Sequence, residues 1–366
     1  MVSNAPEAGR GGRLLSRAAA VAAAFLGLTL LDAVRESSAR LADADNAEAL
    51  HDFRVALRRL RTLLRTFREE LGDAASKKLQ RRLRELTRMT SGGRDAEVQL
   101  AWVRARRGQI ARGSRAGLAW LVARLTARRD EAYAVAQDDV ASELRQVERR
   151  VRRALIEVTV TAAPRGGEGG GEGALFTAAA ARVVRAEAPA LNHALAAARS
   201  THDQEAVHAA RIVVKRLRYV LEWLAGERPQ SMPIIARLRG LQDVLGELHD
   251  LHVFIGELGD AVADAAAEHA RSLHARAMRS SRGAAPRRRR APAPRSVGLL
   301  SLARLASEEE ERLGLLLAAE LDTAGTRALE PDLMTLADDL VAAPPAPPPK
   351  RSARRLRLRH GGRAAV

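Results

Sequence analysis

"HDFRVALRRLRTLLRTF", residues His51 to Phe67, carries a helical period in two kinds of residue at once. Taken as an α-helix over Ala47 to Leu71, it puts Leu50, Phe53, Leu57, Leu60, Leu64, Phe67 and Leu71 at steps of three and four, which is one apolar stripe. His51, Arg54, Arg58, Arg61, Arg65 and Arg68 recur at the same steps, one position later. Each residue turns a helix by about 100°, so the basic row adjoins the core stripe. A charge row kept only for solubility would sit opposite the core. Arg59 falls off both stripes and is expected to face water.

The pattern returns in "HAARIVVKRLRYVLEWL", His208 to Leu224. Val207, Ala210, Val214, Leu217, Leu221 and Leu224 form the second apolar stripe, and His208, Arg211, Lys215 and Arg218 the second basic row. The row ends early, because Glu222 stands where Arg65 would be matched, and Arg216, like Arg59, falls off both stripes. Downstream, "LTRMTSGGRDAEV" from Leu86 aligns with "LQDVLGELHDLHV" from Leu241. Leu86, Asp95 and Val98 then match Leu241, Asp250 and Val253, and Arg94 faces His249. Internal similarity of this kind marks a duplicated structural unit.

Arginines packed beside a core and beside each other repel unless something compensates them. The row from His51 to Arg68 runs about 25 Å along a helix. Two such rows facing each other would make a long positive groove, and guanidinium groups match phosphate oxygens bidentately. Arg82 and its counterpart Arg237 lie near the core edge and could extend it. The plain alternative is that these arginines pair with some of the 44 acidic residues of the chain. His51 and His208 head their rows. Beside a dense anion a histidine pKa rises, giving a conditional extra charge that tightens binding at mildly acidic pH.

Composition agrees with an all-α chain that meets a polyanion. Among 366 residues hydrophobic types make up 46% and aromatics 3%, and no alternation of period two persists. The net charge is +17 and the pI about 11.3, which suits nucleic acid, an anionic membrane or a phosphate polymer. Cysteine is absent, so disulfides and thiolate metal sites are excluded. The apolar run Ala18 to Leu31 is shorter than the roughly 20 residues a membrane span needs, and no clean cleavage site follows it. It is expected to be a core helix, with no membrane span and a cytoplasmic location.

Helical blocks are expected at Arg13–Ala42, Ala47–Leu71, Ala75–Thr90, Asp95–Gly108, Ser114–Gln137 and Val140–Val160. A second series is expected at Ala174–Ala198, Gln204–Ala225, Pro233–Leu245, His249–Arg279, Val297–Leu321 and Pro331–Val341. The domain reading is a disordered N-terminus over 1–12, a first helical half over 13–163, a Gly-rich linker over 164–173, and a second half over 174–343. A basic Pro/Arg loop occupies 283–295 and a Pro-rich basic tail 344–366, the latter a candidate for nonspecific nucleic-acid contact.

Motifs for catalysis are missing. The glycine run at Gly166 to Gly173 lacks the Lys-Ser/Thr of a phosphate loop, and neither a Ser-His-Asp nor an HExxH pattern is present. His249, Asp250 and His252 could touch a metal, but nothing supplies the rest of a coordination shell.

The His-x-x-Arg-x-x-x-Arg-Arg-Leu-Arg pattern at His51, its Lys215 variant at His208 and the downstream "LHDLHV" resemble the conserved-histidine α-helical domain, CHAD. The resemblance spans about Arg13 to Val341. It implies two helical bundles related by a pseudo-two-fold, with the long basic helices forming a central groove. It also implies binding of inorganic polyphosphate, often at polyphosphate granules, and no catalysis. Some relatives carry a fused triphosphatase domain with an ExExK strand motif, which is not found in this chain. The expected binding residues are His51, Arg54, Arg58, Arg61, Arg65, Arg82, Arg94, His208, Arg211, Lys215, Arg218, Arg237 and His249, with no catalytic residue, cofactor or metal. A nucleic-acid binder and a histidine-dependent metal protein are the alternative readings.

Overall fold

Both apolar stripes are buried along their whole length, from Leu50 to Leu71 and from Val207 to Leu224. The computed structural model describes residues 14–43, 48–135, 139–162, 174–199, 203–280 and 294–342. The sequence readings for 1–12, 164–173, the 283–293 part of the Pro/Arg loop and 344–366 lie outside these residues.

The first half comprises α1 (Ala19–Ala39), α2 (Ala49–Thr66), the single turn α3 (Arg68–Leu71), α4 (Lys77–Met89), α5 (Ser91–Ala105), α6 (Arg115–Val135) and α7 (Ala141–Thr161). The second comprises α8 (Phe176–Ala197), α9 (Gln204–Leu224), α10 (Met232–Ser280), α11 (Arg295–Asp322), the short α12 (Ala324–Arg327) and α13 (Leu329–Ala342). The fold is all-α, and among the described residues no strand forms beyond one isolated bridge between Ala18 and Leu175. The expected core helix is α1, whose Ala22, Ala23, Ala24 and Leu31 are fully buried. Among the described residues no helix is long and apolar enough to cross a membrane.

Several boundaries differ from the sequence reading: α1 begins at Ala19 and not Arg13, and the helix expected over Ala47–Leu71 breaks at Phe67 into α2 and α3. Helices expected at Pro233–Leu245 and His249–Arg279 are one helix of 49 residues. An internal glycine such as Gly246 costs a helix only about 1 kcal/mol, which packing against α9 and α11 outweighs. Helix α5 begins at Ser91, not Asp95, and so takes in Gly92 and Gly93. A Cβ on Gly93 would stand 3.0 Å from both Ala132 Cβ and Leu50 Cδ2, so the glycine lets α5 pack tightly on α2 and α6.

The same packing recurs in both halves. Helix α1 packs on α2 and α7, and α8 on α9 and α13; α4 packs on α2 and α7, and α10 on α9 and α13; α5 packs on α6, and α10 on α11. The main contacts between the halves are α1 with α8, α2 with α9, α5 with α10 and α6 with α11. Ala19 N donates to Ala174 O at 2.8 Å, and Phe176 N donates to Arg17 O at 3.0 Å, a reciprocal pair at the starts of α1 and α8. One hydrophobic core runs through both halves, and Phe67 joins them by ring contacts to Phe176 and Trp223.

Candidate anion-binding site

Helices α2 and α9 meet through Arg59, Tyr219 and Glu222, and the basic rows approach each other beside that contact, with Arg58 near enough to Arg211 and Lys215 to depress both beyond what burial does. Between the rows is a polar recess of about 290 Å³. His51, Arg54, Arg58 and Arg94 reach it from the first half, and Arg211 and His249 from the second.

The cations of the recess lack full compensation. Arg54 Nη1 donates to Thr87 O at 3.0 Å, Ser91 Oγ at 3.1 Å and Thr90 Oγ1 at 3.2 Å, all neutral acceptors. Arg61 Nη1 donates to Thr87 Oγ1 at 3.0 Å. Arg211 comes no nearer to a carboxylate than 3.9 Å, at Asp250. The Nε groups of Arg58, Arg61 and Arg211 are buried without an acceptor. Lys215 is 9% exposed and makes no ion pair with a described carboxylate. Burial, then Arg58 and Arg211, pull its pKa from an ordinary 10.5 down to about 6. Burial likewise lowers Arg54, Arg61, Arg65 and Arg211, with neighbouring arginines adding to it. Arg65 is exposed beyond the recess.

The histidines are driven the same way. His51 is lowered by burial and then by Arg94 and Arg58, and His208 by burial and then by Arg211 and Lys215. The rings of His208 and His249 stand 4.7 Å apart, and His249 falls to about 4 through burial, Arg211 and His208. The rise expected from the sequence presupposes a bound anion. In the ligand-free protein these imidazoles are neutral at pH 7.

The other expected residues already meet acceptors. Arg82 pairs with Glu143 of α7 at 3.1 Å, and Arg237 with Asp332 of α13 at 2.5 Å and with Gly325 O at 2.8 Å. Both therefore tie helices together on the flank. Arg94 is paired with Glu97 at 3.0 Å at the margin of the recess. Arg218 holds Glu222 and donates to Gln242 Oε1 at 2.7 Å. Arg59 and Arg216, expected to face water, are instead largely buried: Arg59 bonds Glu222 across the halves at 2.7 Å, and Arg216 bonds Glu187. Their partners lie 163 and 29 residues away in sequence, beyond the reach of a periodicity argument.

Two acids that mark the repeat, Asp95 and Asp250, the second also weighed as a metal ligand, stand in the recess. Asp95 is raised by burial and by Asp250, while Arg54 pulls it down. Asp95 and Asp250 temper Arg54 and Arg211 without neutralising the cluster. Their identity in both copies was the available signal. The residues considered for a metal diverge: His249 stacks on His208, while His252 turns to Glu310 of α11 at 3.1 Å. The described side chains that do approach one another closely enough are Glu48, His51 and Asp52 at the start of α2.

Residues 27–259 match the model of the CHAD domain family, and the chain belongs to that family. The fold resembles the crystal structure of the CHAD domain from the plant Ricinus communis, at 18% identity and a TM-score of 0.54, covering 90% of this chain and 94% of the other. It also resembles PptA from Streptomyces chartreusis, at 18% identity and a TM-score of 0.54, covering 81% and 99%. No curated protein matches the sequence.

Proposed function

We propose that this protein is a non-enzymatic binder of inorganic polyphosphate, held in the groove between α2 and α9, and that its two halves arose by internal duplication. The observation that carries the reading is Arg54, Arg58 and Arg211, cations from both halves lining one recess that Asp95 and Asp250 do not neutralise, with Lys215 buried beside them and discharged by burial, Arg58 and Arg211. A fold tolerates such repulsion where a ligand relieves it. Polyphosphate offers evenly spaced oxygens for every guanidinium, and Arg61 and Arg65 continue the row outward. The matching helix contacts and the reciprocal bonds at α1 and α8 favour duplication. Cytoplasmic polyphosphate granules are the proposed location.

Nucleic acid is the weaker reading of the groove. Single-stranded nucleic acid wants a row of open aromatic faces. Tyr219 is 2% exposed and has Arg218 and Arg59 over its ring, and Trp223 is buried as well. Nonspecific nucleic-acid contact is assigned to the 344–366 tail.

Lys215 supplies the test. Its lysine is held mainly neutral at pH 7 and recharges when an anion arrives. Replacing it by Met removes a buried charge cost, so Lys215→Met should raise the stability of the free protein by on the order of 2 kcal/mol at pH 7. It should also weaken polyphosphate binding about tenfold. The sign follows from proton linkage: the unfolded lysine holds its proton up to about 10.5 and the folded one only to about 6, so wild-type stability rises with pH between those values. The advantage of Met is therefore largest at and below pH 6 and vanishes above about 10.5. Thermal melts with and without polyphosphate measure both effects. A variant that is destabilised, or that binds as tightly as wild type, contradicts the assignment.

A further inference from the structure

The polar recess abuts a second chamber of different chemistry. A cavity of about 290 Å³ lies between α5, α10 and α11, walled by Trp102, Leu251, Phe254 and Leu313, with the carboxylates of Glu247, Asp250 and Glu309 also on its lining. Val98, Gln99 and Asp250 line both spaces, so the chamber begins where the arginine recess ends. Leu251, Phe254 and Leu313 are buried, and the ring centroids of Trp102 and Phe254 are 4.9 Å apart. At the rim, the Arg106 guanidinium lies 4.0 Å from the centre of the Trp102 ring and is tied to Glu309 at 3.2 Å.

Gln99 stands at the junction. It is 2% exposed, and its Oε1 accepts no hydrogen bond. A buried amide oxygen left without a donor is costly, and a leucine would fill the same place without that cost. In the alignment that matches Val98 to Val253, the counterpart of Gln99 is Phe254. The amide and its chamber therefore belong to one end of the groove only. A polymer made only of phosphate has nothing to place in a chamber walled by apolar side chains and carboxylates, and a lipid chain has no donor for Gln99.

We propose that this recess takes the nucleoside end of a nucleoside polyphosphate. The phosphates lie over Arg54, Arg58 and Arg211, and the base enters the chamber to stack on the Arg106 guanidinium that covers Trp102. A carboxamide matches adenine in particular, accepting from the N6 amino group while donating to N7. A guanidinium laid on an indole supplies a flat surface on which a base stacks. Gln99 is the specificity-determining residue, and the arginine recess is shared with inorganic polyphosphate. The proposal rests on the phosphate-binding reading of that recess.

The experiment compares ATP, inorganic triphosphate and long-chain polyphosphate by titration calorimetry on the full chain, without divalent metal and at one salt concentration. Wild type should bind ATP about tenfold more tightly than triphosphate, the increment expected of one stacked base. Gln99→Leu and Leu313→Trp, the first removing the acceptor and the second filling the chamber, should bring ATP down to the triphosphate value. Leu313→Trp, which lies outside the arginine recess, should leave triphosphate and polyphosphate binding unchanged, and Gln99→Leu should alter them far less than it alters ATP binding. The near-isosteric Gln99→Leu decides the matter if Leu313→Trp does not fold. Equal wild-type affinities for ATP and triphosphate overturn the chamber proposal, as does a surplus that survives Gln99→Leu, while polyphosphate binding keeps the groove. Failure of all three ligands to bind overturns the groove reading, and the chamber proposal falls with it.

Discussion

The combined variant Arg54→Ala, Arg58→Ala, Arg211→Ala, Lys215→Ala should lose polyphosphate binding by a factor of at least about a thousand while keeping its helical fold. A charge-assisted hydrogen bond contributes roughly 1.5–3 kcal/mol, so the loss of four such contacts exceeds that factor even with strong non-additivity. Retention of the fold follows from the same geometry. Arg58 raises the electrostatic cost of Arg54, Arg211 and Lys215, and none of the four is matched by a close carboxylate. Removing them relieves repulsion that offsets the lost bonds of Arg54 to Thr87, Thr90 and Ser91. By contrast, Arg82→Ala and Arg237→Ala should lower stability through the lost ties to α7 and α13 and change affinity little. Circular dichroism and binding on the same samples separate the two classes. Tight binding by a folded quadruple variant would remove the cradle.

Substituting Gly117 or Gly298 should cost stability about equally, on the order of 3–5 kcal/mol each. These glycines lie in the first turns of α6 and α11, where the two helices cross. A Cβ on either would stand 3.2 Å from the Cα of the other, and would also run into a carbonyl oxygen, that of Arg295 for Gly117 and that of Ser114 for Gly298. A flexible side chain could turn aside; a backbone carbonyl cannot without moving its helix. Gly256 is the control, since it is exposed within α10 and a Cβ there meets nothing within 4 Å. Gly256→Ala should add up to about 1 kcal/mol. Gly117→Ala and Gly298→Ala should therefore lower the melting temperature, and Gly256→Ala should raise it. Markedly unequal losses at Gly117 and Gly298 would argue against their reciprocal roles.

What the sequence made legible was whatever depended on period. The burial of Phe53, Leu57 and Leu60, and the adjoining row through Arg54 and Arg58, follow from residue spacing alone, because each helix turn fixes which side chains share a face. What stayed hidden depended on distant partners. Arg59 and Arg216 carry the same charge as their neighbours in the row, and only the positions of Glu222 and Glu187 in the folded chain make them structural. Periodicity alone does not join Pro233–Leu245 to His249–Arg279, whereas the continuity of α10 is set by packing against α9 and α11. The crossing of α6 on α11 left no periodic mark, since one small residue in each helix suffices. Gln99 was invisible for a similar reason: a single polar residue on a helix becomes informative only when its burial and lack of a partner are known.

The central claim is that the seam between the two basic helices is shaped for a phosphate polymer and is more than a generic positive surface. The most direct measurement is a competition titration at near-physiological salt, with labelled long-chain polyphosphate bound to the protein. Unlabelled polyphosphate, single-stranded DNA, duplex DNA and RNA would compete at equal phosphate concentration. Much of the affinity of any polyanion comes from counterion release, so salt must be held fixed throughout. The account predicts that polyphosphate displaces the label far more effectively than any nucleic acid, because a bare phosphate chain offers its oxygens densely to the clustered guanidiniums and the described residues of the seam offer successive bases no row of open aromatic faces. Equal displacement by the nucleic acids would contradict it.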